Sequence, residues 1–494
     1  MAALQPAERT SHLGWHSSYF MQVGSQFELA NSFEHAYKRF NTVPTLDEVA
    51  VLEVLNNNYM FGDRTILCGL KKSPWMSYLN SSKTAWVQHQ LPEHGQRIED
   101  PEQIGEQLFS LLCQEIKSYV GDKTCIGILL SGGMDSRIVA GVLQYLVSHG
   151  ELKLDRVVAY TWGSEDSRDV VYSRRIAELF NWEWRHFVVS PEDLWETFVI
   201  AGHRGCEFSG FHLHAIPQIV ASLDVEVMLA GSYGDSIGRA EYSGKHVTRL
   251  SPIDAQMKNP AYLMKSVSFA RAKRQYFSDV GCYHDLFPRT EPYARYELDN
   301  QLHYMRRMLN PCISLISERI ETYQAFTHPS VFGFMWSLMP RCRNNIPYSY
   351  ILKKIGAGLD EVPWARTGLK YLERTGNPDN LNKVHHRYSE FMQSDLIDRV
   401  QDRLLSHRAL RDTVINIHAV KRLIRLVRSH EDQNFDYLEK LGWLVSFTYF
   451  LDKYEVFRTS NRMRYSDWIH GNINLPLQYL LVRTARTTKR RLRR

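Results

Sequence analysis

The sequence predicts an α/β fold in which a parallel sheet carries helices on both faces. Between residues 101 and 254, short apolar and β-branched runs alternate with segments of helical periodicity, which is typical of parallel sheets. After about residue 255 the strand signals fade and long amphipathic patterns dominate. The first 100 residues are weakly periodic. We therefore expect three parts: a reduced N-terminal domain (1–100), an α/β core (101–254) and a mainly helical region (255–494).

Four strands and several helices are expected from these patterns. The predicted strands are Cys125–Leu130, Arg156–Thr161, Trp184–Val189 and Val225–Ala230. The predicted helices of the core lie at Glu102–Val120, after Ser136, at Asp169–Phe180, after Ser190 and at Ala215–Leu223. Asp100-Pro101 and Ser190-Pro191 are helix starts, because a capping side chain precedes a proline at the first helical position. In the C-terminal region the amphipathic segments are Tyr296–Met308, Ser314–Tyr323, Val331–Leu338 and Thr413–Ser429.

Composition excludes several protein classes. With 494 residues and 44% hydrophobic residues, the chain can bury large cores, and disorder is not expected. The seven cysteines are scattered and form no CxxC pair, which favours a reducing cytoplasm over a disulfide or zinc framework. We expect no signal peptide and no membrane span, since no apolar run is long enough.

The net charge of +6 is mildly basic, and much of the excess lies in the tail 483–494. Such a tail can contact acidic lipid or nucleic acid, but a solvated chain end explains it as well. We therefore do not expect a nucleic-acid partner. The sequence leaves a homodimer open.

The most informative motif is Ser131-Gly-Gly-Met-Asp-Ser136, which lies between a predicted strand and a helix. The first N–H groups of a helix have no intrahelical partner, and the helix dipole is positive there, so such a turn holds anions. Gly132 and Gly133 allow the backbone to approach a phosphate closely. The carboxylate of Asp135, placed near phosphates, indicates a Mg²⁺ ligand.

A second glycine-rich turn, Gly231-Ser-Tyr-Gly-Asp235, follows the fourth predicted strand. Ligands of parallel sheets bind beyond the carboxyl ends of the strands. Since the Ser131–Ser136 turn also follows a strand, we expect both Asp-bearing turns at one edge of the sheet.

The Ser131–Ser136 turn resembles the loop of enzymes that cleave ATP between the α and β phosphates. With its other motifs, the chain resembles the synthetase part of the asparagine synthetase family over roughly residues 105–370. The matching segments are Ser131–Ser136, Thr161–Gly163 with Asp169, Tyr172 and Ala177-Glu178, Cys206–Phe208, Ala230–Asp235, Glu321–Pro340, Tyr348–Lys353 and Val362–Gly368.

This resemblance implies an adenine nucleotide alpha-hydrolase-like fold that uses ATP and Mg²⁺. Carried over residue by residue, it implies that Asp135 and Asp235 bind the metal and act in catalysis. The residues it implies for nucleotide binding are Leu130, Ser131, Gly132, Gly133, Asp135, Ser136, Trp162, Gly163, Ala230 and Gly231.

Several positions depart from the family pattern. Ser232 replaces an acidic residue of the second turn, and Ser236 replaces a glutamate. The family lysine that precedes the aromatic of the later helix is Ser349 here. Lys353 lies one helical turn further on the same face, so Lys353 or Lys354 can reach the phosphates in its place, and our hypothesis is that Lys353 is the catalytic lysine.

Asn57–Leu79 resembles the last segment of the family's glutaminase domain. That domain begins with a catalytic cysteine, whereas residues 2 and 3 are alanines here and Cys68 is the first cysteine. About 100 residues are also too few for that domain. We therefore expect no glutamine hydrolysis, and ammonia or an amine from solution, from the substrate or from a separate glutaminase.

Two other groups of residues have open interpretations. His203, His212 and His214 lie near Glu207, but their spacing fits no zinc motif, which favours structural or substrate-side roles. Arg137 follows the loop, where the family often has serine. It either contacts phosphate or is a surface arginine.

The implied reaction is adenylation of a substrate carboxylate, followed by attack of ammonia or an amine to give an amide and AMP. The acceptor is a small-molecule, peptide or sugar carboxylate, and the altered Glu207, Ser232 and Ser349 positions favour an acceptor other than aspartate alone. Two alternatives stay open: a nucleotide-activating enzyme that acts on RNA, and a non-catalytic ATP-binding paralogue.

Overall fold

The computed structural model describes residue 13 and residues 18–253, 257–373, 379–429, 435–457, 463–481 and 484. Residues 2 and 3, which stand where the glutaminase cysteine was expected, and most of the basic tail 483–494 lie outside these residues. None of the described helices is both long and apolar enough to cross a membrane.

The N-terminal part contains short strands and two helices. Its elements are β1 (Tyr19–Val23), β2 (Gln26–Ala30), α1 (Phe33–Tyr37), α2 (Glu48–Asn57), β3 (Lys71–Lys72), β4 (Ser77–Leu79) and β5 (Trp86–Gln88). β1 is the centre of a small antiparallel sheet between β2 and β3. Most buried apolar side chains between Tyr19 and Leu70 share one hydrophobic cluster with helices from the end of the chain, whereas Trp75 and Met76 pack in the cluster of the central sheet.

The middle of the chain alternates between strands and helices, as predicted. Its elements are α3 (Pro101–Val120), β6 (Cys125–Leu129), α4 (Met134–Ser148), β7 (Arg156–Trp162), α5 (Arg168–Leu179), β8 (Glu183–Phe187), α6 (Pro191–His203), α7 (Ile216–Ala221) and β9 (Val227–Ala230). The caps predicted at Asp100 and Ser190 are confirmed, since each side chain accepts a backbone N–H of its helix. The third and fourth strands start one residue earlier and two residues later than predicted.

The C-terminal region is mainly helical, as predicted, after a short hairpin of β10 (Glu241–Tyr242) and β11 (Lys245–His246). Its further elements are α8 (Ser266–Leu286), α9 (Pro292–Asp299), α10 (Asn310–Ser317), β12 (Glu321–Tyr323), α11 (Pro329–Ser337), α12 (Asn345–Ile355), α13 (Tyr388–Glu390), α14 (Ile397–Ser406), α15 (Arg408–Arg411), α16 (Ile417–Ser429), α17 (Phe435–Lys453) and α18 (Tyr465–Ile469).

Three helix predictions in this region need correction. The segment Ser314–Tyr323 is not one helix, because α10 ends at Ser317 and β12 follows as a fifth strand of the sheet. The segment Tyr296–Met308 changes from α-helix to a π-helical stretch at Asn300. The helix predicted at Thr413–Ser429 begins at Ile417 and not at Thr413, whose hydroxyl donates to the carbonyl of Leu410.

The central sheet has five strands in the order β12-β9-β6-β7-β8, and every neighbouring pair is parallel. Alternate side chains point to opposite faces, and both faces are covered. Ile126 and Ile128 pack toward α3, α4 and α12, whereas Val158 and Tyr160 pack toward α7 and α10. The predicted fold class, a parallel sheet with helices on both faces, is confirmed.

Candidate active site

The two Asp-bearing turns meet where the strand order reverses. From β6 the chain adds β7 and β8 on one side, and it later adds β9 and β12 on the other. Leu129 of β6 pairs with Ala230 of β9 at the carboxyl ends of these strands. The turns that follow them are therefore neighbours, at the position where open α/β sheets bind ligands.

The Ser131–Ser136 turn is held by its own serines. The hydroxyl of Ser131 accepts the N–H of Gly133 at 3.1 Å, and the hydroxyl of Ser136 accepts the N–H of Ser131 at 3.1 Å. Gly133 is the N-cap of α4 and provides no side-chain acceptor for the first turn. The helix therefore starts with uncapped N–H groups, which is the geometry that binds phosphate.

Close packing of the second turn against the first explains its two glycines. A Cβ atom on Gly231 would lie 2.4 Å from the backbone nitrogen of Ser136, and one on Gly234 would lie 2.6 Å from Cβ of Asp135. Between them Tyr233 has a positive φ of 72°, and its hydroxyl donates to Asn310 at 3.0 Å. Any larger residue at either glycine would separate the two aspartates.

A cavity of about 300 Å³ opens beside these turns. It combines the polar loop with an apolar wall from the π-helical stretch and α10. The lining residues are Leu129, Leu130, Ser131, Gly133, Asp135, Ser136, Trp162, His212, His214, Ile216, Ala230, Gly231, Ser232, Met308, Leu309, Cys312 and Ile313. Cavities of this size and mixed character bind small ligands.

Asp135 and Asp235 form an electrostatically coupled pair. Burial, together with the nearby charge of Asp135, raises the pKa of Asp235 to about 7. Burial also raises the pKa of Asp135, and Arg239 opposes that shift. Two carboxylates that are costly to ionise together are stabilised by a cation between or beside them.

Arg239 supplies positive charge next to this pair. Its guanidinium contacts the carboxylate of Asp135 at 3.0 Å and that of Glu241 at 3.1 Å, and its side chain is 2% exposed. It lies over the rings of Tyr348 and Trp364, 5.3 and 5.4 Å from their centroids. Its Nε is buried and has no hydrogen-bond partner among the described residues, and Arg239 lies behind the residues that line the cavity.

Most of the residues expected at the nucleotide site line the cavity. Gly132 and Gly163 do not, and both instead allow close backbone packing. A Cβ atom on Gly132 would lie 2.8 Å from the carbonyl of Arg168, and one on Gly163, whose φ is +132°, would lie 2.8 Å from the carbonyl of His385. Asp235 lies behind the lining, where its Oδ1 accepts the N–H of Ser236.

Lys353 is not brought to the cavity. It is exposed on α12, whereas Tyr348 of the same helix faces the site and donates to the carbonyl of Gly234 at 2.8 Å. The next residue, Lys354, pairs with Glu106 of α3 and turns away from the loop. The helical spacing alone did not determine which face of α12 meets the turns.

Arg137 is not the surface arginine that the sequence left open. It is fully buried and donates to the carbonyl groups of Gly132, Val362 and Pro363. Its guanidinium therefore clamps the Ser131–Ser136 turn to the segment that carries Trp364. The prediction of a surface arginine is wrong, and a phosphate contact stays a prediction.

The sequence analysis did not identify Arg239 and Cys312. Arg239 follows Asp235 by four residues, and the absence of the family lysine at Ser349 was the signal that could have drawn attention to another cation near the turns. Cys312 lines the cavity, and burial raises the pKa of its thiol to about 12, so it is not a ready thiolate. Of the three histidines, His212 and His214 line the cavity and His203 does not.

The donor set fits Mg²⁺ bound together with a nucleotide. No group of three or more His, Cys, Asp or Glu side chains that could hold a metal ion occurs among the described residues. Mg²⁺ prefers one or two carboxylates with phosphate oxygens as its remaining ligands. Asp135 and Asp235, beside an uncapped helix start, provide that arrangement.

Comparison with solved structures gives low similarity. NMN synthetase from Francisella tularensis is 14% identical, with a TM-score of 0.23, over 42% of this chain and 97% of that chain. The U34-tRNA thiolase NcsA from Methanococcus maripaludis, with its [4Fe-4S] cluster, is 11% identical, with a TM-score of 0.25, over 72% of this chain and 88% of that chain. These scores carry no argument about function.

No curated protein matches the sequence. The family model for asparagine synthase matches residues 110–411, which is more than half of the chain. The match includes both Asp-bearing turns, Arg239 and the five-stranded sheet. The chain belongs to the asparagine synthase family.

Proposed function

We propose that this protein is an ATP-dependent, AMP-forming ligase that adenylates a substrate carboxylate for attack by ammonia or an amine. Family membership supports an ATP-using synthetase. The observation that carries the finer proposal is the contact of two aspartate-bearing turns at an uncapped helix start, with Asp135 and Asp235 coupled in charge. This arrangement suits a pyrophosphate leaving group with its metal.

The proposed first step places the triphosphate on the Ser131–Ser136 turn. An oxygen of the substrate carboxylate attacks the α-phosphorus, the bond to the β-phosphate oxygen breaks, and pyrophosphate leaves. Mg²⁺ held by Asp135 and Asp235 would neutralise charge on the phosphates. The uncapped N–H groups of α4 and the hydroxyls of Ser131 and Ser136 hold phosphate oxygens.

Arg239 takes the role that the sequence analysis gave to Lys353. It is buried beside the carboxylate pair, and its free Nε can donate to a phosphate oxygen. A guanidinium matches phosphate geometry better than an ammonium group does. In that role Arg239 would give up part of its contact with Asp135, and Asp135 would be a ligand available to Mg²⁺.

In the proposed second step the nitrogen nucleophile attacks the acyl carbon. The new carbon–nitrogen bond forms, the bond to the phosphate oxygen breaks, and AMP leaves. We propose no glutamine hydrolysis by the described residues. Although Cys68 is exposed, partial desolvation and the nearby charge of Asp47 raise the pKa of its thiol to about 11, so it is a poor nucleophile near neutral pH. The proposal also keeps the division of the chain at residues 100 and 254 into a reduced N-terminal domain, an α/β core and a mainly helical region.

One observation favours a non-catalytic ATP-binding protein. The ion pair between Arg239 and Asp135 competes with Mg²⁺ for the same carboxylate. The reading as an RNA-acting, sulfur-transferring enzyme has less support, since Cys312 is the single described cysteine that lines the cavity and burial disfavours its thiolate.

Product analysis across a panel of carboxylic acids tests the proposal. The protein is incubated with ATP, Mg²⁺, ammonium or an amine, and each acid, and the nucleotides are separated by chromatography. We expect AMP and pyrophosphate with one class of acid. ADP and phosphate as products, or ATP binding without turnover on any acid, would contradict the proposal.

A further inference from the structure

The cavity holds a histidine whose ring the proposed ATP chemistry does not use. His212 lies in the 3-10 turn Gly210–Leu213, between α6 and α7, and lines the cavity together with Ser131 and Asp135. Its Nδ1 is buried and has no hydrogen-bond partner among the described residues. An unpaired ring nitrogen in a buried polar site is costly unless a ligand pairs with it.

The other ring nitrogen of His212 faces a carboxylate. Its Nε2 lies 3.4 Å from Oε1 of Glu439, on α17. Such a carboxylate favours the tautomer that carries its proton on Nε2, which leaves a lone pair on Nδ1. A base whose far nitrogen is oriented by a carboxylate is a recurrent arrangement for proton transfer, and the contact tightens when substrate binds.

Glu439 is itself fixed from the side away from His212. Its Oε2 accepts the side-chain N–H of Asn58 at 2.8 Å. The amide oxygen of Asn58 accepts from Lys440 at 2.6 Å, which turns the amide nitrogen toward Glu439. The carboxylate is largely buried, so its position is set by these contacts and not by solvent.

His214, the second histidine of the cavity wall, is already engaged. Its Nδ1 lies 3.0 Å from the hydroxyl of Tyr388, and its ring stacks on Trp162 at 5.8 Å. Burial holds the pKa of His214 well below its ordinary value, so it is neutral. Of the two cavity histidines, His212 therefore offers the free acceptor.

We propose that His212 is the general base of the amide-forming step and that Glu439 positions it. This inference rests on the proposed function, since it needs an acyl-adenylate in the cavity. As the amine nitrogen bonds to the acyl carbon and AMP departs with its oxygen, a proton leaves the nitrogen for Nδ1 of His212. The imidazolium then formed is stabilised by Glu439, and the proton later passes to solvent.

The two half-reactions separate this role from the ATP chemistry. Pyrophosphate–ATP exchange reports adenylation and needs no amine, whereas amide formation needs both steps. In H212Q we expect exchange within about twofold of wild type and amide formation lowered about 100-fold or more, the usual range for a lost general base. The loss should be in kcat. E439Q should lower amide formation less and shift its pH profile.

Two controls sharpen the result. H203Q removes a histidine of α6 that does not line the cavity, and we expect both activities to be unchanged. Hydroxylamine, which is unprotonated near neutral pH and strongly nucleophilic, should restore product formation in H212Q because it depends less on a base.

The outcomes distinguish the two proposals. Normal amide formation in H212Q would overturn the role of His212 alone. Equal loss of exchange and amide formation, in a folded protein, would also overturn it, because the residue would then act in substrate binding. A wild-type protein without exchange on any acid would overturn the proposed function, and the role of His212 with it.

Discussion

Two buried charged clusters of this protein differ in how completely their carboxylates are paired. Glu297 is fully buried, and its oxygens accept from both terminal nitrogens of Arg343, at 2.7 and 2.6 Å, from Tyr242 and from His94. These partners hold the pKa of Glu297 at about 2, despite its burial. In the Asp135–Asp235 pair burial dominates, and both pKa values are raised.

This difference in pairing distinguishes a carboxylate that stabilises the fold from carboxylates that can bind a ligand. A carboxylate whose donors all come from its own fold is stabilised as the anion and has little left for a ligand. A buried pair with raised pKa values is instead a place where a cation or proton must be added, and such pairs cluster at functional sites. Substitutions in each cluster should therefore differ in whether they lower activity or the free energy of unfolding.

The largest expected effect is loss of activity in D135N. The amide keeps the size of the side chain and removes the charge that binds metal. We expect AMP formation to fall about 1,000-fold or more, while the free energy of unfolding changes by about 1 kcal/mol or less. Steady-state AMP release and urea denaturation measure the two. Unchanged turnover would remove the loop from the mechanism.

E297Q should show the opposite pattern. Removing the charge leaves the Arg343 guanidinium buried without its counterion, and we expect the free energy of unfolding to fall by about 3–5 kcal/mol. Denaturation measures it, and turnover per folded molecule should be retained. The matched control is E178Q, which breaks the exposed Arg174–Glu178 pair and should cost about 0.5 kcal/mol or less. If E297Q and E178Q lowered the free energy of unfolding equally, the buried Glu297 cluster would not have this structural role.

Arg239 and Lys353 are the two candidates for the cation that contacts the phosphates, and substitutions distinguish them. If Arg239 contacts the phosphates, R239M lowers kcat/KM for ATP by about 10–100-fold, since a charge-assisted contact contributes about 1.5–3 kcal/mol. K353A then keeps its activity, because Lys353 is exposed on α12, whereas Arg239 is buried in contact with Asp135. Rates of pyrophosphate–ATP exchange, measured for R239M and K353A against ATP concentration, distinguish the two. Full loss in K353A with normal exchange in R239M would restore the lysine of the sequence prediction.

A smaller effect concerns pH. The folded pKa of Asp235, about 7, exceeds its unfolded value of 3.8, so the protonated form stabilises the fold. That contribution is fully present below about pH 4 and is lost as the pH rises through about 7. Without nucleotide, D235N should therefore become more stable than wild type at pH 8, on the order of 1 kcal/mol. Denaturation at pH values between 5 and 8 measures the difference in the free energy of unfolding between D235N and wild type. If the advantage of D235N became smaller as the pH rises, the predicted direction would be wrong.

Local patterns predicted much of the fold and the turns of the site. Ser131–Ser136 and Gly231–Asp235 could be found because each is one strand end with its own glycines. Arg239 could not be assigned, because its partner Asp135 is 104 positions away in the sequence. β12 was missed since it is three residues long and gains its pairing from β9. Burial of Arg137 depends on carbonyl groups of residues 362 and 363, which no local pattern reveals.

The most direct test of the contrast is nucleotide product analysis of wild type, D135N and E297Q under one condition. Each protein is given ATP, Mg²⁺, ammonium or an amine, and the acids of the panel. The account predicts AMP and pyrophosphate from wild type, the same products per folded molecule from E297Q, and almost none from D135N. AMP formation by D135N at the wild-type rate, or ADP as the product of wild type, would contradict it.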